Sequence, residues 1–111
     1  MQLKNVLLAG IVMSCLLGAT AARAFDEDAA RSLMKKSNCF KCHAIDKKKD
    51  APSYQEIAKK HKGKADAEKE LYTHLTTHPK VKVEGKEEEH TSLKTKDDAE
   101  IKNVIQFILA Q

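Results

Sequence analysis

Two cysteines three positions apart, followed at once by a histidine, constrain this chain more than any other feature: Cys39-Phe40-Lys41-Cys42-His43. Two thiols at that spacing can each form a thioether with one vinyl group of the same porphyrin, and the adjacent imidazole then falls under the iron. The spacing and the trailing histidine matter to that chemistry, while the residues between the cysteines matter little. A chain joined to such a group must fold around a flat apolar plate as well as around its own side chains.

The first 24 residues say where that chemistry would take place. Lys4 supplies a positive start, Val6 to Ala19 is a mostly apolar run, and Ala22-Arg23-Ala24 is an A-x-A cleavage pattern. Together they read as a secretory signal peptide, removed so that the mature chain begins at Phe25. The run is short of the ~20 residues a spanning helix needs, so a membrane anchor fits less well. Val12-Met13-Ser14-Cys15 only faintly suggests a lipoprotein site, since Met13 suits it poorly and the apolar run continues past Cys15. Loss of residues 1–24 takes Cys15 with it and leaves Cys39 and Cys42.

Other uses of those two cysteines fit less well than a haem. An exported pair can close a disulfide, and C-x-x-C serves redox enzymes of thioredoxin type. Such motifs accompany a strand–helix–strand pattern, which this chain lacks. A zinc site needs two further ligands at suitable spacing, for which His74 and His78 are the one pair to consider. The reading taken forward is one haem c, attached through Cys39 and Cys42, with His43 bound to its iron.

Residues 25–111 make a single domain of 87 residues, small enough to need a staple, which a covalent porphyrin provides. Without Lys4 and Arg23 the 20 basic residues become 18 against 16 acidic ones, formally +2. Two ionised propionates bring that close to zero, so the charge is no nucleic-acid footprint.

The pattern is mostly helical. Asp26, Glu27 and Asp28 suit a helix start, and Ala30, Leu33 and Met34 share one face. Asn38 suits a stop, with Cys39 to Ala44 as a short helical turn. Asp46 to Asp50 is a polar loop closed by Pro52. Helices are expected from Ser53 to Lys62, ended by Gly63, and from Asp66 to Thr77, with Leu71, Tyr72 and Leu75 as a stripe. A last helix capped by Asp97 carries Ile101, Val104, Ile105, Ile108 and Leu109 on a wide apolar face. Between them Val81 and Val83 alternate with charged residues before Gly85, which predicts a short hairpin or extended loop near Glu84-Gly85. The run Glu87-Glu88-Glu89 then reads as a solvated edge.

Over essentially all of Phe25–Gln111 the chain resembles the small bacterial class I cytochromes c with one haem. The resemblance is carried by the first helix leading into Cys39-Phe40-Lys41-Cys42-His43, by Ala51-Pro52-Ser53-Tyr54, by Gln55 to Gly63, and by the closing helix Asp97–Ala110 with Phe107 at its aromatic position. It implies an all-α fold of about four helices around one covalently attached haem. It also implies that the Pro52 carbonyl accepts a hydrogen bond from His43, fixing the ring and its basicity, and that Phe107 packs on the first helix near Ala30 and Leu33. Ala51 stands where glycine is usual.

One departure is larger. These cytochromes usually place a methionine on the other side of the iron, from a loop ahead of the last helix. After the signal peptide the sole methionine is Met34, on the apolar face of the first helix and before the motif. The candidates are His61, His74, His78 and His90. His61 stands among lysines and reads as solvated. The resemblance places the ligand a short way ahead of the last-helix aromatic. His90 lies 17 positions before Phe107 and His78 lies 29 before it. His90 is the preferred sixth ligand, with His78 or an open iron as alternatives.

The function expected is that of a periplasmic one-electron carrier rather than an enzyme, with bis-histidine ligation and a lowered potential. Its partners would be redox proteins of the periplasm. No nucleic acid is expected, no membrane span in the mature chain, and a monomer. Lys41, Lys47, Lys48, Lys49, Lys59 and Lys60 could steer an acidic partner to the haem edge. The alternative function is a haem-based binder or sensor of small ligands, with an open or displaceable distal site.

Overall fold

The computed structural model describes residues 25–111, so the signal-peptide reading of residues 1–24 lies outside the described residues. Within them four helices and one hairpin follow in order: α1 (Glu27–Lys36), a 3-10 turn (Cys39–Lys41), α2 (Tyr54–His61), α3 (Ala67–Thr76), β1 (Lys80–Val83), β2 (Lys86–Glu89) and α4 (Asp98–Leu109).

Short polar side chains set the helix ends. Asp26 accepts from the Ala29 amide at 3.1 Å, with Glu27 and Asp28 in the positive first turn. Ser53 and Glu56 form a reciprocal capping box at the start of α2. Asp97 accepts from Ala99 and Glu100 at the start of α4. After α1 the backbone turns at Asn38, whose φ of 61° lies in the left-handed region that asparagine tolerates. That turn delivers Cys39 directly into the 3-10 segment.

Helix α4 is the centre of the packing and touches α1, α2 and α3. Its 3.6-residue stripe explains why: Ile101, Val104, Ile105, Phe107 and Ile108 are all buried. Phe107 shares the core with Ala30 and Met34, and Leu33 packs against it, as the resemblance implied. Two further contacts hold this ring. Phe25 meets it edge-on at 6.0 Å, and the Arg31 guanidinium lies 5.1 Å over its face. The Asp26 amide donates to Asn103 Oδ1 at 2.7 Å, while Asn103 Nδ2 donates back to the Asp26 carbonyl at 2.8 Å. The start of the domain is thereby clamped to its last helix.

The expected hairpin is antiparallel, with Val83 opposite Lys86 and Lys80 opposite Glu89. Glu84 and Gly85 both have positive φ, 50° and 79°, the pattern of a two-residue primed turn. The Glu87–Glu89 edge is solvated as expected, and it also pairs as β2 with every side chain exposed. Beyond it the His90 amide donates to the Pro79 carbonyl at 2.7 Å, which extends the ladder by one bond. Leu93 then enters the core and its amide donates to Leu75. The buried Ser37 accepts from the Lys94 amide at 2.9 Å, tying the loop before α4 to the turn that carries the cysteines.

Candidate haem site

A cleft of about 670 Å³ opens between these elements. The turn after α1 places Cys39, Cys42 and His43 along it, the start of α2 adds Pro52 and Tyr54, and α3 and the end of the hairpin close it with Leu71, Leu75 and His90. Both cysteines carry free, half-buried thiols.

His43 is held from two sides. Its Nδ1 donates to the Pro52 carbonyl oxygen at 2.6 Å. A carbonyl can only accept, so Nδ1 must carry the proton, and the lone pair is left on Nε2 for a metal. The Tyr54 ring stacks on the imidazole at 4.9 Å and 29°. Tyr54 is buried and its phenol is pushed up by that burial, which keeps it neutral beside the ring.

Across the cleft, the centre of the His90 ring stands 6.2 Å from that of His43. Two imidazoles that each put a nitrogen about 2 Å from one shared metal ion have ring centres about 6 Å apart. His90 Nδ1 is buried and has no hydrogen-bond partner. Burial, and after it the neighbouring His74 and His43, lower the His90 pKa to about 4, so the ring is a neutral donor near pH 7.

Cys39, Cys42, His43, Pro52 and His90 are thus all brought to one cleft. His78, the alternative to His90, is exposed, has a φ of 49° and is not among the cleft's lining residues. One histidine is placed differently from expectation. His61 is not solvated: its side chain is 11% exposed and lines the cleft. Its Nδ1 lies 3.3 Å from Glu70 Oε2, close enough for an ion pair when protonated but out of line for a hydrogen bond. Lys59, Lys60 and Lys62 beside it in sequence are exposed while its ring turns in. His74 also lines the cleft, with its ring centre 4.2 Å from that of His90. The signal for His74 was present in the sequence: Leu71, His74 and Leu75 fall at i, i+3, i+4 on one helix face.

The residues present fit a covalently held haem. Two thiols and a tautomer-fixed imidazole stand on one side of an apolar cleft, and a second imidazole faces them. Residues 27–111 match the family model for cytochrome c. The chain belongs to the cytochrome c family. Among solved structures this cytochrome is similar to the class 1 cytochrome MtoD from Sideroxydans lithotrophicus ES-1, with 49% identity and a TM-score of 0.75 over 78% of this chain and 97% of that one. It is also similar to wild-type cytochrome c552 of Nitrosomonas europaea, with 26% identity and a TM-score of 0.55 over 71% and 95% of the two chains. Cytochrome c-551 of Pseudomonas aeruginosa is 49% identical over 39 residues, a match that spans 35% of this chain and 38% of that relative. This cytochrome is therefore a class I, monohaem protein of the electron-carrier type. It carries one covalently attached haem c, with Cys39 and Cys42 in the attachment positions.

Proposed function

We propose that this cytochrome is a periplasmic one-electron carrier whose iron is held between His43 and His90, at a potential below that of methionine-ligated relatives. The observation that carries this reading is the 6.2 Å separation of the two rings across the cleft. The chain also has no methionine after His43. When bound, haem c supplies a single-electron couple at its iron. The protein's residues do the rest. Cys39 and Cys42 hold the porphyrin covalently, and the Pro52 carbonyl raises the basicity of His43 by accepting a hydrogen bond from its Nδ1–H. Two imidazoles donate more strongly to ferric iron than an imidazole and a thioether do, which lowers the potential. Optical spectra of the ferric protein are expected to lack the weak near-red band of an iron–thioether bond. Redox titration is expected to give a potential below the methionine-ligated range, and a high potential would count against the ligation.

Export of the chain rests on residues 1–24. The mature protein is expected in the periplasmic fraction with Phe25 as its N-terminus, read by mass spectrometry. Retention of Met1 or of the apolar run would contradict that location. Among the described residues no helix is long and apolar enough to cross a membrane.

Partner choice is expected to be electrostatic. Lys41, Lys47, Lys48, Lys49, Lys59 and Lys60 are all exposed, and Lys60 lies at the cleft itself. Surface charges of one sign raise the encounter rate with an oppositely charged protein, and salt screens them within ~10 Å at 0.1 M. Electron transfer to an acidic redox protein should slow several-fold between low and physiological ionic strength, and slow further in Lys47→Glu/Lys48→Glu. A rate indifferent to both would leave these lysines a role in solubility alone.

A further inference from the structure

The distal wall of the cleft holds more ligand capacity than one iron needs. His90 faces His43 at 6.2 Å between ring centres, and the His74 ring lies 4.2 Å from that of His90. The two distal histidines stand on different elements. His74 projects from the apolar face of α3, between the buried Leu71 and Leu75. His90 follows β2 at the point where the ladder ends on the Pro79 carbonyl. The helix is anchored in the core on both sides of His74, whereas β2 is wholly exposed. The β2 side of His90 is therefore easier to displace than α3, since it has less buried surface to lose, while Leu93 anchors the segment on its other side.

We propose that His74 is a reserve distal ligand: when His90 leaves the iron, the neighbouring imidazole of His74 takes the vacated position. This rests on His90 being the resident ligand. The exchange breaks one iron–nitrogen bond and forms another, and no electron or net proton is transferred. It begins and ends with two nitrogen donors on the iron. Carbon monoxide and similar ligands then meet a competitor already inside the cleft, at an effective concentration no free ligand reaches. A carrier so built stays a carrier when its hairpin moves.

The test compares ferric holoproteins by electron paramagnetic resonance and ferrous ones by carbon monoxide binding. His74→Ala is expected to stay low-spin, because His90 still closes the site. His90→Ala is expected to remain low-spin with altered g values and to bind carbon monoxide weakly. His74→Ala/His90→Ala is expected to become high-spin and to bind it readily. The leucine substitutions at both positions, which keep apolar volume, serve if an alanine variant fails to hold its fold. Two results overturn the proposal while leaving His90 as the ligand: a high-spin His90→Ala, or a double variant as low-spin as His90→Ala. A His90→Ala signal identical to wild type overturns His90 ligation itself, and the reserve role with it.

Discussion

Removing both thioether sulfurs, in Cys39→Ala/Cys42→Ala, is expected to leave a chain that neither keeps its haem through denaturing electrophoresis nor reaches a stable fold. The described domain has 87 residues, and its helices meet along α4 while standing apart across a cleft of about 670 Å³. Apolar burial is worth ~25 cal/mol per Å², so losing several hundred Å² of porphyrin contact costs on the order of 10 kcal/mol. That is comparable with the whole stability of ~5–15 kcal/mol typical of a domain. Far-ultraviolet circular dichroism should show most of the helix signal gone. The single variants should be milder, since one thioether and His43 still hold the group. A double variant with native helix content and a cooperative thermal transition would show that the polypeptide core suffices without the haem.

Phe107→Ala is the second large effect expected, and it lies away from the iron. The ring is 1% exposed, is met edge-on by Phe25 and is covered by Arg31. Truncating a buried phenylalanine typically costs ~3–5 kcal/mol through lost transfer energy and the cavity left behind. The edge contact and the cation–π contact add to that by roughly 0.5–1.5 and 0.5–1 kcal/mol. Denaturant unfolding of the holoprotein should show the midpoint fall with the slope retained, and the haem spectrum should be unchanged at low denaturant. A loss under about 1 kcal/mol, within the range of ordinary surface changes, would mean that α1 and α4 are held chiefly by the haem and the Asp26–Asn103 clamp.

Much of this was legible in the sequence because short-range chemistry carries it. Asp26 and Asp97 cap the helices they were expected to precede, Ser53, expected as the first helical residue, caps its helix from one position outside it, and Gly63 and Asn38 stand where a left-handed residue is needed. The two-residue period before Glu84-Gly85 became a hairpin for the same reason. What the sequence did not disclose depends on contacts between distant segments. Ser37 bonds to Lys94, 57 positions on, and Phe25 meets Phe107 from the far end of the domain. The histidines divide in the same way. His90 was legible from its distance to Phe107. His61 was not, because nothing local tells a ring surrounded by lysines in sequence that the fold turns it inward and brings Glu70 of α3 to its side. His74 lay between the two cases: its helical register with Leu71 and Leu75 pointed inward, but nothing local said which surface that face would meet.

Each element of the resulting arrangement has its own physical task. In the proposed site the covalent turn and the Pro52 carbonyl would define one side of the iron, and the hydrogen bond to Pro52 leaves His43 a single free nitrogen. The hairpin, with its register set by a two-residue turn at Glu84-Gly85, leads directly into His90 on the other side of the cleft. Helix α4 joins the two through the core.

The most direct test of bis-histidine ligation is the electron paramagnetic resonance spectrum of ferric wild type against ferric His90→Ala. Wild type should be low-spin with the g values of two imidazole donors, and the variant should show altered g values. Identical low-spin spectra from the two proteins would contradict the claim that His90 closes the site opposite His43.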